Sequence, residues 1–236
     1  MTRVRSAGAY SRAQRRHLET VEEVKEIARE RLVEDGLSGL SLRAIARDMG
    51  VVPSALYRYF PSHGHLLDAI ADDAAASMLD YVEQAIAARP EDDHVGRWLD
   101  GLRAYRRWAL EHTPGYSLNF GDLSGERSGS GDPDAVVRRL IEIIGAVVAN
   151  AGAAGALDDV RIGIVRQLVS HLDENYDESE QTPAHVMASA LSAWSAVHGT
   201  VALEVSGRIP DLGIDPDDYF EAQLVGISRA IGFRLN

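Results

Sequence analysis

The chain has 236 residues with 36 Asp and Glu against 24 Lys and Arg, a formal charge of −12, and no cysteine. That length allows a sizeable core, built as one domain or as a small domain fused to a larger one. Without cysteine there are no disulfides and no thiolate metal sites, and a reducing cytoplasm is the expected location. The polar N-terminal stretch has no signal-peptide apolar region and no apolar run approaches a membrane span, so no membrane partner is expected. Through His65 there are 11 Lys and Arg against 8 Asp and Glu, whereas the remainder holds 13 against 28. Such asymmetry suggests one end that meets nucleic acid and one solvated acidic end.

Residues 1–16 carry Arg3, Arg5, Arg12, Arg15 and Arg16 with no acid and no periodicity. They read as a flexible basic arm, either a solvated tail or an arm against phosphates or in the minor groove. From His17 to Glu34, Val21, Val24, Ile27, Ala28 and Leu32 form one apolar side of a scaffold helix, which Gly36 ends. Leu42, Ile45, Ala46 and Met49 then repeat at helical spacing. Ser41 is placed to cap that helix, Gly50 to turn the chain after it, and Pro53 to open the next. The segment from Pro53 to Phe60 spends its surface on Ser54, Tyr57, Arg58 and Tyr59. Two short helices joined by a tight glycine turn, the second carrying exposed donors, is the pattern of a DNA-reading helix-turn-helix.

Pro61 stops this element, and Ser62 can cap a long helix marked by Leu67, Ile70, Ala74, Met78, Tyr81, Val82 and Ala85. At 1.5 Å per residue it spans about 35 Å and belongs to both halves. Val95, Trp98, Leu99, Leu102, Tyr105 and Ala109 give the next helix, ending near Pro114. Five glycines between Gly115 and Pro133 predict a loop, mobile between Gly121 and Asp132, whose aromatic start Tyr116 and Phe120 packs. Val137, Leu140, Ile141, Ile144, Val147 and Val148 mark another helix, and 162–172 reads as a central buried one. An acidic run leads to Pro183 and two last helices, at about 184–207 and 216–234. The first shows a stripe of small residues, Ala188, Ser192, Ser195 and Gly199, and the second a stripe of Phe220, Leu224, Ile227 and Ile231. With no alternating strand pattern, the expected fold is all-α with about nine or ten helices.

The sequence lacks a GxSxG elbow, a P-loop, an HExxH pair and a dinucleotide glycine fingerprint, so no enzyme and no cofactor is expected. His63 and His65, two apart on a helix, point to different sides, so no metal is expected either.

Residues 17–70 resemble the DNA-binding domain of the tetracycline-repressor-like (TetR) family of bacterial transcription regulators. The resemblance lies in Ala28 to Leu32, Gly36, Leu40 to Arg43, Ile45, Ala46, Gly50, Val51, Leu56 to Phe60, Leu66 and Leu67. It implies a three-helix DNA-binding domain at 17–65, behind the arm, and a helical effector-binding and dimerisation domain at 66–236. It places Pro53, Ser54, Ala55, Tyr57, Arg58 and Tyr59 toward the major groove, with Tyr57 typically on a phosphate and Leu56 and Phe60 inward. Arg58 is the candidate base reader, because Arg pairs bidentately with guanine, although a phosphate contact is the equal alternative. Ser41 and Arg43 match positions at the backbone or flanking bases. Val52 departs from a capping Ser or Thr, and His63 from a common Lys.

The second half resembles a subgroup bearing Trp-x-x-x-His-Gly, here Trp194, His198 and Gly199. A pocket for an unknown small-molecule effector is implied, with Trp98, Tyr105, Trp108, His112, Tyr116, Phe120, Trp194 and His198 as candidate lining. Dimerisation is expected through Ala188, Ser192, Ser195, Gly199, Leu224, Ile227 and Ile231 in a four-helix bundle. The partners implied are a double-stranded DNA operator, a second copy of the chain and the effector. The alternatives are a helical small-molecule carrier or enzyme with a vestigial DNA-binding head, or an acidic interaction adaptor.

Overall fold

The computed structural model describes residues 11–121, 124–129, 132, 134–158, 167 and 184–235. The chain divides into two compact units, one of residues 1–72 with 122–131 and one of 73–121 with 132–236. The division falls within a long helix, later than the expected boundary at 65/66, and the first unit takes back a segment from the middle of the chain.

In the first unit, α1 (Arg12–Glu34) is followed by the short turn α2 (Gly36–Gly39), α3 (Leu42–Asp48), α4 (Pro53–Leu56) and the start of α5 (His63–Ala87). Helix α1 begins at Arg12 and not at His17, so Arg12, Arg15 and Arg16 are helical and not part of an arm. The cause is a capping box: Ser11 Oγ accepts from Gln14 N–H and the Gln14 side chain accepts from Ser11 N–H. The rest of the expected arm lies outside the described residues. Val24, Ala28, Leu32, Leu40, Leu42, Ile45, Leu56, Phe60, Leu66 and Leu67 are buried as the core of this unit. Arg31 ties α1 to α3 through Asp48 at 2.6 Å.

In the second unit the rest of α5 packs with α6 (His94–Glu111), α7 (Thr113–Phe120), α8 (Ala135–Ala153), α9 (Ala184–Val205), α10 (Arg208–Asp211) and α11 (Pro216–Ile231). Helix α9 packs on α8, α11 and α6, with Val197 and Val201 fully buried. Gly101 lets α6 close on α5, since a Cβ there would lie 2.9 Å from Ile86 Cγ1. Among the described residues the β-type pairing is a single antiparallel bridge between Leu157 and Phe233.

Three expectations change. Residues 115–120, expected as the aromatic start of a loop, belong to α7 (Thr113–Phe120), with Pro114 in its first turn. Helix α9, from His185 to Val205, is long and apolar enough to cross a membrane, contrary to the expectation that no segment would be. Val186, Ala190, Ala193, Val197 and Val201 of this helix are buried against its neighbours whereas Leu191 and Leu203 are exposed, and one such helix is weak evidence for a membrane. Leu224 and Ile231, expected at a dimer surface, are 0 % and 6 % exposed in the chain's own core, so they are not available to a partner. The helix expected over 162–172 lies outside the described residues, save that Gln167 is helical.

Candidate nucleic-acid interface and effector site

In the first unit, the geometry that presents the residues expected to face DNA is set by the turn after α3. Ser41 caps α3, its Oγ accepting from Ala44 N–H at 3.1 Å. Gly50 adopts φ 67°, and Val51 N–H reaches back to the Ala46 carbonyl at 2.9 Å, the hydrogen bond that closes a helix around a left-handed residue. Pro53 then starts α4, and Val52 before it contributes no side-chain cap. Helix α4 is a single turn, Pro53–Leu56. Beyond it, Tyr59 and Phe60 N–H groups both hydrogen-bond to the Leu56 carbonyl, so Tyr57, Arg58 and Tyr59 sit on a tight turn and not on a longer helix.

This arrangement sorts the side chains by chemistry. Leu56 and Phe60 are buried, whereas Ser41, Arg43, Pro53, Ser54, Tyr57 and Arg58 are exposed and Ala55 and Tyr59 half-buried. The Tyr59 ring lies 4.8 Å from that of His17 on the scaffold helix α1. No spacing rule could have found it, because the contact joins two helices. His63 is half-buried, and its Nε2 is buried with no hydrogen-bond partner, unlike a solvent-facing lysine.

In the second unit, five of the eight candidate lining residues converge. The Tyr105 hydroxyl lies 2.8 Å and the Tyr116 hydroxyl 3.5 Å from His198 Nδ1. Trp194 stacks on the His198 ring at 4.6 Å with 10° between planes, and Phe120 meets it edge-on at 5.2 Å. These rings come from α6, α7 and α9, which the packing of α9 on α6 and the α6–α7 corner brings together. Burial lowers the His198 pKa, pushes Tyr116 up to about 12 and raises Tyr105 well above its ordinary value. At neutral pH the three groups are therefore uncharged. The Trp194 Nε1 is buried and has no acceptor.

The other three candidates face elsewhere. Trp98 donates to Ser228 Oγ at 2.8 Å and stacks on Phe233. Trp108 donates to Ser77 Oγ at 3.1 Å and stacks on His112. Two open surface grooves of ≈ 290 and ≈ 380 Å³ border this unit, the first lined by a mixture of charged and aliphatic side chains and the second mostly by charged ones, and neither includes any of the five converging rings. Among the described residues no group of His, Asp or Glu could hold a metal ion.

The first unit thus has the fold of a helix-turn-helix DNA-binding regulator, with exposed polar side chains over an apolar underside. The chain belongs to the tetR family of bacterial regulatory proteins. The model of that family's DNA-binding region matches residues 26–70, and a tetracyclin repressor-like C-terminal domain matches residues 98–227. The HTH-type transcriptional regulator Rv1816 of Mycobacterium tuberculosis is 32% identical over 211 residues, covering 85% of this chain and 87% of the relative. The HTH-type transcriptional repressor DrrR1 of Streptomyces coeruleorubidus is 36% identical over 91 residues, 39% of this chain and 30% of that protein. Among solved structures, the regulatory protein SCO4313 matches with a TM-score of 0.68 at 31% identity, covering 92% of this chain and 98% of that one. The chain is accordingly an all-α, DNA-binding transcriptional regulator, and no enzyme family is indicated.

Proposed function

We propose that the chain is a cytoplasmic repressor that binds a palindromic operator as a homodimer and releases it when a small molecule occupies the second unit. The observation that carries the reading is the sorting around α4, where Ser54, Tyr57 and Arg58 are exposed directly over buried Leu56 and Phe60. Such a surface can enter a major groove with Arg58 toward a guanine edge and Tyr57, Ser41 and Arg43 toward phosphates. Two-fold symmetry of the protein would be mirrored in the operator.

Support for the dimer comes from the outward faces of α9 and α11. Ser192, Ser195 and Gly199 are exposed, Ala188 and Ile227 half-buried, and Leu191, Leu203 and Val225 stand exposed beside them. A Cβ on Gly199 or Gly226 would meet nothing within 4 Å, so a partner helix could approach closely there. The effector site is assigned to Tyr105, Tyr116, Phe120, Trp194 and His198, of which Trp194 and His198 also belong, with Gly199, to the Trp-x-x-x-His-Gly pattern. Its uncharged rings and the unpartnered Trp194 N–H suit a neutral planar ligand bearing a hydrogen-bond acceptor.

The test is selection of bound sequences from a random DNA pool at two salt concentrations. A palindromic consensus with a steep salt slope supports the reading. No enrichment at either salt refutes it and favours the carrier with a vestigial head.

A further inference from the structure

We infer that Val52 reads the C5 methyl group of a thymine in each operator half-site, an inference that rests on the function proposed above and adds a specificity residue to it. Val52 is 67% exposed and Val51 before it 40%. Pro53 after it is also exposed, so three apolar residues in a row face solvent where α4 begins. The exposed side chains that follow, Ser54, Tyr57 and Arg58, all carry polar groups.

An exposed valine is ordinary elsewhere on a surface, but this one is the N-cap of α4, with φ −71° and ψ 139°. Ser, Thr, Asp or Asn is favoured at such a position, because a side-chain oxygen takes up an N–H of the first turn. Val52 makes no such bond. It forgoes a cap and leaves its methyl groups in water, so the folding of this unit does not account for it. Its place in the turn is nevertheless fixed on both sides. Val51 N–H bonds to the Ala46 carbonyl, the Val52 carbonyl accepts from Ala55 N–H at 2.9 Å, and the Pro53 ring holds the next φ. A β-branched side chain on such a backbone has few rotamers, so a contact orders little that was free.

The N-terminal residues of the second helix in a helix-turn-helix are the ones that approach base edges in the major groove. Those edges present hydrogen-bond donors, hydrogen-bond acceptors and one apolar feature, the thymine C5 methyl. Against a donor or acceptor, the Val52 side chain would only exclude water from a group it cannot pair. Against the methyl it removes apolar surface from water on both sides. Arg58 toward guanine and Val52 toward thymine then read different base pairs by different chemistry.

The test replaces thymine by uracil, which deletes the C5 methyl and leaves every hydrogen-bonding group in place. Each thymine of the selected consensus is replaced in turn, and the DNA is titrated with full-length wild type, Val52→Ser and Val52→Thr. At one position the wild type should lose about fourfold in affinity per half-site, the worth of one methyl group in an apolar contact. Val52→Ser should bind the thymine and uracil operators equally, and Val52→Thr, which keeps one methyl, should retain part of the discrimination. Neither variant should melt below the wild type, since both new side chains can cap α4. A lower midpoint for Val52→Ser would give the valine a folding role and overturn the inference. Wild-type indifference to uracil at every position, a consensus without thymine, or undiminished discrimination in Val52→Ser also overturns it, while DNA binding itself stands. Failure of every chain to bind DNA refutes the proposed function, and this inference with it.

Discussion

Arg106 makes the most informative stability test, because it joins three helices of the second unit through one guanidinium. Its Nε and Nη2 donate to the two oxygens of Glu204 on α9 at 2.7 and 2.6 Å, and Nη2 also reaches Asp217 on α11 at 2.6 Å. The guanidinium lies 4.8 Å from the Phe220 ring centroid, and its pKa is raised, chiefly by the hydrogen bond to Glu204. The two acids differ in environment: the Glu204 side chain is 8% exposed and that of Asp217 83%. The Asp217 pair should therefore contribute little, and the Glu204 pair decides the outcome. Arg106→Met keeps the packing on Phe220 but leaves a buried carboxylate without its cation, which costs about 3 kcal/mol. For a unit of this size that lowers the thermal midpoint by roughly 6–12 °C. Arg106→Met combined with Glu204→Gln removes the stranded charge and should recover most of the loss, so a double-mutant cycle in urea yields a coupling of about 2 kcal/mol. A loss below about 1 kcal/mol for Arg106→Met, or strict additivity in the cycle, would refute the assignment of the ion pair as buried and mutually dependent.

Other consequences follow from the same geometry. Ser228→Ala strands the buried Trp98 indole N–H and should destabilise the second unit by about 1–3 kcal/mol in denaturant titration, whereas a change within error would mean that water replaces the hydroxyl. The His198 pKa is lowered in the folded chain from its ordinary 6.5, so the unfolded chain binds the proton more readily. Stability should be full above pH 6.5 and fall as the pH drops through 6.5 toward the folded value. His198→Gln should lose that part of the pH dependence in thermal melts, and an identical slope in the variant would contradict it. Gly199→Glu places a charge on the open face of α9 and should yield monomers in sedimentation, whereas an intact dimer would reassign the interface.

How much could be read in advance varied with the physical signal. The helix-turn-helix was legible because its determinants are local: a capping serine, a left-handed glycine, a proline opening α4 and apolar residues at helical spacing. Helix α7 was not, since its sequence TPGYSLNF shows no apolar stripe and its Gly115 reads as a loop residue. That glycine instead allows close approach, a Cβ there lying 2.8 Å from the Ala74 Cβ. The early start of α1 was signalled by Ser11 and Gln14, three apart as in a capping box, but the surrounding arginines hid it. On α11, a stripe facing the chain's own core and one facing a partner look alike in sequence, so Leu224 and Ile231 read as partner-facing residues although both are buried in the chain's own core. The convergence of Tyr105, Tyr116, Phe120, Trp194 and His198 could be suspected from inward aromatics, yet Trp98 met the same criterion and packs with Ser228 and Phe233 instead. The partners that distinguish them are distant in sequence, and only packing brings them together.

The most direct test of the central claim compares the selected palindrome with a single half-site at matched salt, for wild type and Arg58→Ala. The account predicts two chains per palindrome and at least 100-fold weaker binding to the half-site, roughly 3 kcal/mol. It predicts that Arg58→Ala loses affinity on the palindrome by ~10-fold or more while remaining dimeric. Equal affinity for palindrome and half-site, or an Arg58→Ala variant that binds as the wild type does, would contradict it.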